Sequence, residues 1–393
     1  MEHSEQPKAK KLKVEKLVPL GNLATSCSDK ALAWLIDPIP VPEFVSTYWD
    51  SRPLLISRQR PEYFDGLVVA EKASKLVSED QSVDDFEISS AEKRLSWLHA
   101  LVERLENFTG SLWSSSYHFC RDAPSSEDFF SCDTKDTNTI IIQLTGKCHW
   151  RAADDSDSTL YQVDSVLAPG DTLYLPQSAV ASSLVTDPSS SYVILKTAAE
   201  SWGDFILQAL PEVIPKLIAN DSEFKKSLPI NWRASVGLCV KENELNLKSI
   251  LKSLLTKMAD SVDFAEVADQ QAMDNIIART PPAPRKGAES TFGPDPRLHA
   301  ISVRLRNPAW LRVAAAEGED GEQVTLIVSS VANDIKKHGE ASEEPQIIEL
   351  AGNDKVPALR ELFNSWPEFT GAGSLGPELT AALWTGGILE TRV

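Results

Sequence analysis

Between about residues 112 and 200 the hydrophobic pattern changes period, and this change constrains the fold more than any other feature of the sequence. Turn residues such as Thr145-Gly146 and Pro169-Gly170-Asp171 separate short runs of strand-forming residues. The strand candidates cover residues 115–121, 139–144, 148–152, 165–167, 172–175 and 192–196. Many short strands with regular turns are typical of a sandwich or barrel, so we predict a cupin-like jelly roll.

Helical periodicity flanks this region on both sides. Before it, residues 42–49 and 96–108 place apolar side chains on one face. After it, two apolar stripes run through residues 205–218 and 247–258. Such stripes usually form core, but a helical insert with two strongly apolar faces also suits a dimer interface. We therefore expect a dimerisation-type insert and a homodimer.

The C-terminal segment has the order strand, helix, helix, strand, with the elements predicted at residues 346–350, 356–363, 377–385 and 388–391. This order suggests a winged helix. Winged helices often bind nucleic acid, but the candidate recognition helix at 377–384 has no lysine or arginine. A structural or protein-contact role is therefore favoured, and nucleic-acid binding is a secondary alternative.

Composition narrows the class of protein. The net charge of −18 argues against a protein that binds nucleic acid over its whole surface. No apolar run approaches the roughly 18 residues that span a bilayer, so no membrane partner is expected. Five scattered cysteines without a CxxC pair suit free thiols in a reducing compartment. A lysine cluster near the N-terminus favours nuclear import or a basic arm for RNA, and consists of Lys8, Lys10, Lys11, Lys13 and Lys16.

Together these features predict an α+β chain of several domains. A basic disordered tail covers residues 1–20, and a barrel with N-terminal helices covers 21–202. The helical, dimerisation-type domain follows at 203–280. A proline-rich linker at 281–298 then leads to a winged-helix-like domain at 299–393.

Four motifs in this order resemble the JmjC ribosomal oxygenases, a family of nuclear and nucleolar protein hydroxylases. The motifs are FVSTYWDSRPLLI at 44–56, IQLTGK at 142–147, Trp150-Arg151, and LAPGDTLYLP at 167–176. The resemblance covers nearly all of the chain after residue 20. It implies a double-stranded β-helix of the cupin/JmjC type with flanking helices, a helical insert and a terminal winged helix.

The resemblance also implies a chemistry that this sequence departs from. The family holds Fe(II) with two histidines and one carboxylate and leaves positions open for 2-oxoglutarate and dioxygen. Its H-x-D falls on Asp133-Thr134-Lys135, and its third ligand, a histidine, falls on Ala181. Its 2-oxoglutarate lysine falls on Cys148.

These replacements predict a degenerate site without a catalytic, metal-binding or cofactor-binding residue. A protonated Lys135 has no lone pair, and Ala181 has nothing to donate to a metal. Cys148 cannot supply the charge-assisted hydrogen bond of a lysine, worth roughly 1.5–3 kcal/mol. Asp133 alone is not an iron site. We therefore expect no cofactor; the alternative is a conventional site for Fe(II) and 2-oxoglutarate.

The sequence gives no indication that the remaining histidines replace the missing metal ligands. His149 should point away from the barrel interior if Cys148 points into it, because strand neighbours alternate. His118 could face inward but has no H-x-D/E partner, so a structural role is favoured for both. His338-Gly339-Glu340 matches H-x-E but falls in a polar loop, where chance is the better interpretation.

The resulting hypothesis is a pseudoenzyme, a catalytically degenerate protein that acts as a binding or scaffold protein in the nucleus or nucleolus. Its partner would be a ribosomal or chromatin protein. The alternative is an active Fe(II)/2-oxoglutarate dioxygenase that hydroxylates a ribosomal-protein histidine or demethylates histone lysine.

Overall fold

The structure is a computed structural model that describes most of the chain. The described residues are 29–65, 67, 85–120, 130–132, 134, 136–154, 157–198, 200–230, 232–235, 247–284, 292–297, 302–317 and 322–393. Within these ranges no helix is long and apolar enough to cross a bilayer.

Ten strands lie in the described residues between 54 and 198. They are β1 (Leu54–Ile56), β2 (Asp85–Ser89), β3 (Trp113–Cys120), β4 (Phe130–Cys132), β5 (Thr137–Thr145), β6 (Cys148–Asp154), β7 (Asp157–Leu167), β8 (Thr172–Leu175), β9 (Ala179–Val185) and β10 (Ser190–Ala198). They build a six-stranded sheet, β1-β8-β5-β10-β3-β2, and a four-stranded sheet, β4-β9-β6-β7. All neighbours are antiparallel. This architecture confirms a mixed fold with antiparallel sheets and fits the JmjC/cupin type.

Strand alternation gives the six-stranded sheet two buried faces. Ile141 points toward the four-stranded sheet and packs with Trp150 in the barrel interior. Its neighbours Ile140 and Ile142 point the other way and pack against the helical layer, where they meet Leu98. Six consecutive buried residues in β5 follow from this double burial.

Three helices form the N-terminal layer. They are α1 (Asp29–Ile36), α2 (Val41–Thr47) and α3 (Ser96–Thr109). The predicted helix at 96–108 is confirmed, and its apolar stripe is buried. It ends at Gly110, whose φ of 76° is the left-handed conformation that commonly closes helices, with its N–H donating to Glu106 O.

A half-buried arginine, Arg58, connects this layer to the barrel by hydrogen bonds. The backbone N–H of Arg58 donates to Asp171 Oδ1 at 2.9 Å. Its guanidinium donates to the carbonyls of Asp37, Leu35 and Gly170 at 2.7–2.8 Å. Gly170 itself has φ of 90°, and a Cβ there would lie 2.1 Å from Arg60 O. The predicted Pro169-Gly170-Asp171 turn is therefore also a packing junction.

Helices return after the barrel as α4 (Trp202–Asn220), α5 (Trp232–Ser235), α6 (Leu247–Asp260) and α7 (Phe264–Ala278). A capping box begins α4: Asp204 N–H donates to Ser201 Oγ, and Ser201 N–H donates to the Asp204 carboxylate.

The C-terminal part has its own core. Its strands are β11 (Ser302–Leu305), β12 (Leu311–Glu317), β13 (Gln323–Ser329), β14 (Gln346–Ala351), β15 (Thr370–Gly371) and β16 (Leu389–Arg392). They form two three-stranded sheets, β15-β11-β16 and β12-β13-β14. The helices α8 (Val356–Ser365) and α9 (Pro377–Thr385) pack beside them. The strand–helix–helix–strand order is confirmed; the winged helix as a fold type stays a prediction.

Candidate functional site in the barrel interior

The barrel interior is an apolar core between the two sheets. The six-stranded sheet contributes Ile141, Leu173, Leu175, Tyr192 and Ile194. The four-stranded sheet contributes Cys148, Trp150, Ala152, Val163, Leu167, Ala179 and Ala181. Because these side chains fill the space between the sheets, the interior is packed like a hydrophobic core in the described residues.

Ala181 is one of the buried residues of this core. It stands on β9, opposite Cys132 of β4 on one side and Ala152 of β6 on the other. Its side chain is 5% exposed. A methyl group offers a metal no lone pair, and its strand neighbours at this level are a thiol and a second methyl group.

Cys148 also points into the core, at the start of β6. It pairs with Leu167 and Val185 and is fully buried. Burial raises the pKa of its thiol to about 12, and the nearby thiols of Cys120 and Cys132 add to the increase. Cys148 is therefore a neutral thiol at pH 7, with no charge to offer a carboxylate.

Asp133 and Lys135, the other two replaced positions, lie outside the described residues. Thr134 between them is buried, and its hydroxyl donates to Ala179 O at 2.8 Å. This bond attaches the segment after β4 to the start of β9. The structure thus places Cys148 and Ala181 in one core and leaves the H-x-D equivalent untested.

His118 does face inward, as the sequence allowed. Its ring stacks on Tyr192 with centroids 4.8 Å apart, and Tyr192 in turn meets the edge of Trp150 at 5.5 Å. Ser116 Oγ lies 2.8 Å from His118 Nε2. Burial lowers the pKa of His118, while Glu87 raises it and Lys196 lowers it. A neutral, stacked imidazole supports the structural role predicted for it.

His149 points away from the interior, which confirms the alternation argument. It contacts Asp164 on β7, and Arg151 Nε lies 3.3 Å from the same carboxylate. The hydrogen bond from His149 is the main reason that the pKa of Asp164 is lowered. His149 therefore belongs to an ionic group on the outer face of the four-stranded sheet.

The described residues do not fit the iron site that the family resemblance implies. Over the described part of the chain, no group of three or more His, Cys, Asp or Glu side chains could hold a metal ion. Iron of this class needs two imidazoles and a carboxylate converging on one point. At the described ligand position, Ala181, the structure has a methyl group, and at the 2-oxoglutarate lysine position, Cys148, it has a neutral thiol.

His338 has contacts that its H-x-E motif does not indicate. Its imidazole is buried, with Nε2 2.7 Å from Glu106 Oε1 and Nδ1 3.1 Å from Glu92 Oε1. Glu106 lies on α3 in the apolar stripe recognised in the sequence, as does the buried Glu103. A carboxylate on the buried face of a helix is stable only with a hydrogen-bonding or cationic partner. Two glutamates within the apolar stripe of α3 could therefore have indicated, from the sequence, that a cation is buried against this helix.

No family model matches the chain. Curated relatives do match. Ribosomal oxygenase 1 of Danio rerio is 23% identical over 426 residues, which cover 90% of this chain and 77% of the relative. The bifunctional lysine-specific demethylase and histidyl-hydroxylase NO66 of Branchiostoma floridae is 24% identical over 408 residues, covering 90% and 65%. Ribosomal oxygenase 1 of Homo sapiens is 23% identical over 440 residues, covering 92% and 67%.

Among solved structures, YcfD, a ribosomal oxygenase from Escherichia coli, matches with a TM-score of 0.47 at 14% identity. The match covers 91% of this chain and 99% of YcfD. The YcfD complex with cobalt and 2-oxoglutarate gives a TM-score of 0.48 at 14% identity.

The antiparallel jelly roll with its helical flanks fits the JmjC/cupin class of proteins. Within that class, the chain is similar in sequence to ribosomal oxygenase 1 and NO66 over 90% of its length, at 23–24% identity. It spans 77% and 65% of the length of the first two relatives.

The comparisons contradict one expectation from the sequence, namely that no cofactor is to be expected. The relatives are oxygenases by name, and YcfD was determined with cobalt and 2-oxoglutarate and with cobalt and succinic acid. The expectation failed because it rested on four aligned positions, of which Asp133 and Lys135 lie outside the described residues. A metal and 2-oxoglutarate are therefore the first ligands with which to test this chain.

Proposed function

We propose that this chain is a binding protein of the ribosomal oxygenase family that holds a protein partner without oxidising it. The observation that carries the proposal is the position of Ala181 within the closed apolar core of the barrel. A methyl group there cannot take part in oxygen activation, because it neither binds a metal nor transfers a proton.

The environment of Cys148 supports the same proposal. Orienting an acidic cosubstrate requires a cation or a hydrogen-bond donor on the wall of the site. The buried thiol of Cys148 is neutral at pH 7, and its strand neighbours are Leu167 and Val185. This apolar packing stabilises the barrel but provides no charged or hydrogen-bonding group that could orient a cosubstrate.

Charge supports a basic partner. The net charge of −18 attracts positively charged proteins at a distance and speeds their association. Two relatives carry the names "ribosomal oxygenase" and "lysine-specific demethylase and histidyl-hydroxylase". A ribosomal or chromatin protein in the nucleus or nucleolus is therefore the partner we propose for this chain.

The test combines capture with turnover. The full-length chain is immobilised and offered salt-extracted ribosomal proteins and core histones at physiological ionic strength, with and without added Fe(II) and 2-oxoglutarate. The proposal expects retention of a defined basic protein, succinate at background, and no added oxygen in the retained protein. Succinate release that depends on the retained protein would establish the alternative, an active dioxygenase.

We further propose that the partner is bound by a homodimer. No side chain of α6 is buried, and Ile250, Leu251 and Leu255 are each more than half exposed. On α4, Leu207 is 71% exposed. Apolar faces of this size on two helices are typical of an interface between copies.

A substitution on α6 tests the dimer. Leu251→Glu places a charge on the apolar face and should shift the mass measured by light scattering from dimer to monomer. Ser253→Glu adds the same charge elsewhere on α6 and should leave the mass unchanged. A wild-type chain that is monomeric at micromolar concentration would contradict the dimer.

The C-terminal domain is proposed as a protein-contact module with a winged-helix-like fold. Its α9 carries Glu378 and no basic residue, so it offers nothing to phosphate groups. Nucleic-acid binding stays secondary, through the N-terminal lysine cluster, which lies outside the described residues. Replacement of those lysines should remove a fluorescent fusion from the nucleus if the cluster is an import signal.

A further inference from the structure

A cavity of about 580 Å³ lies where three parts of the chain meet. Its walls come from the end of α3, from α7, from β12 and from α8. This volume is within the range of roughly 300–1,000 Å³ that is usual for small-molecule sites.

The walls combine an apolar lining with guanidinium groups. Ile276, Leu311, Val313, Leu359 and Phe363 provide apolar surface. Three arginines, Arg279, Arg312 and Arg360, share the lining with two carboxylates, Glu106 and Asp269. The lining is therefore net positive, on a chain whose net charge is −18.

Both carboxylates are already engaged by the protein. Asp269 accepts a hydrogen bond of 2.8 Å from Arg312 Nε. Glu106 accepts from the backbone N–H of Thr280 at 2.9 Å and contacts His338 at 2.7 Å. Because each negative charge has a positive or hydrogen-bonding partner, neither is left to repel an anion strongly.

Two of the arginines have N–H groups that donate no hydrogen bond to the described residues. Arg279 is 4% exposed and donates to Ala309 O and Asn107 Oδ1, but its Nε has no hydrogen-bond acceptor among the described residues. Arg360 is exposed, and within the described ranges no hydrogen bond or ion pair involves its guanidinium.

The position of Arg360 on α8 links charge to apolar surface. Val356 precedes it by one turn and Phe363 follows it by three residues, so all three lie along one helical face, and all three line the cavity. A planar guanidinium beside an apolar wall suits a carboxylate that carries an apolar body.

We propose that this cavity binds an organic carboxylate with an apolar body, and that Arg360 is the anchor for the carboxylate. The apolar body lies against Val313 and Phe363. Such a ligand contacts the helical segment and the C-terminal domain together, so it stabilises their junction by binding only the folded chain.

Three probes of one size test the proposal on the full-length protein by calorimetry and thermal shift: octanoate, octanamide and octylammonium. Octanoate should bind and raise the melting temperature, and the neutral and cationic probes should bind about tenfold more weakly or worse. Equal affinity for octanoate and octanamide, or no binding of octanoate, would overturn the proposal.

Two variants locate the site. Arg360→Gln should weaken octanoate about tenfold while octanamide is unaffected. Val313→Phe keeps every charge but fills the cavity, and should weaken both probes. Arg233→Gln, an exposed arginine on α5 outside the cavity, is the matched control and should change neither affinity. Octanoate binding that survives both Arg360→Gln and Val313→Phe would place the ligand elsewhere.

Discussion

The imidazole Nε2 of His338 lies 2.7 Å from Oε1 of Glu106, although 232 residues separate the two in the sequence. Glu92 approaches the other ring nitrogen at 3.1 Å, and all three side chains are buried. Arg279 Nε lies 3.9 Å from the second oxygen of Glu106. The group connects the N-terminal helical layer to the C-terminal part of the chain.

Stability should depend on pH through His338. Burial alone would lower its pKa, but hydrogen bonds to Glu106 and Glu92 raise it to about 9. Because the folded pKa is above the ordinary value of 6.5, the stabilisation is fully present below pH 6.5 and is lost as pH rises through about 9. Melting temperatures measured from pH 6 to pH 10 should fall over that window, and much less so in His338→Gln.

Stability at acidic pH should depend on Glu92, which contacts the same imidazole. Burial would raise its pKa, but hydrogen bonds from His338 and Ser115 lower it below 4.5. A lowered carboxylate pKa contributes stability above its unfolded value, and that stability is lost as pH falls through the folded value. Glu92→Gln should therefore flatten the decline in melting temperature below pH 4.5. An unchanged slope would show that other carboxylates control acid unfolding.

Removal of the His338 imidazole should be costly. His338→Ala leaves the buried Glu92 without its cation and Glu106 with only Arg279 at 3.9 Å, and breaking a buried pair typically costs about 3–5 kcal/mol of unfolding free energy. His149→Ala, which breaks a contact with Asp164 on the exposed outer face of the barrel, should cost much less. Denaturant unfolding of the two variants measures both values, and equal losses would contradict the buried role of His338.

Cys148 should be inert to thiol reagents in the folded protein. Burial raises the pKa of its thiol to about 12, so almost no thiolate forms at pH 8. Cys148→Ala should leave the number of thiols that react with a disulfide reagent unchanged in buffer, and lower it by one in guanidinium. Cys132→Ala, at a half-buried position, is the control, and should lower the reactive count in buffer as well.

Arg58→Lys should destabilise the barrel although it keeps the charge. The guanidinium reaches the carbonyls of Leu35, Asp37 and Gly170 together, and an ammonium cannot match that planar geometry. Loss of one or more charged hydrogen bonds should cost roughly 2–4 kcal/mol. Arg52→Lys, at an exposed position over the Tyr48 ring, should change the unfolding free energy by less than about 1 kcal/mol.

The sequence predicted the barrel better than it predicted the site. The strand candidates and the helix at 96–108 are confirmed because each has its own hydrophobic period and turn residues. β9 was missed, since its alanines and serines carry no strand signal, and pairing with β4 and β6 decides its structure. That omission matters because β9 carries Ala181.

The contacts of His338 could not be read from local sequence for a different reason. Tertiary packing alone brings Glu92, Glu106 and His338 together, and no short motif encodes it. The glutamates in the apolar stripe of α3 were a local indication that a buried cation contacts this helix. The cofactor expectation failed similarly, because it used aligned positions without the rest of the site.

Mass spectrometry of the captured partner distinguishes binding without oxidation from catalysis. The partner is incubated with the full-length protein, Fe(II), 2-oxoglutarate and dioxygen, and both its mass and the succinate formed are measured. If the chain binds its partner without oxidising it, the mass is unchanged and succinate stays at background. A partner heavier by one oxygen atom, with succinate formed in equal amount, would show that the chain is an active dioxygenase.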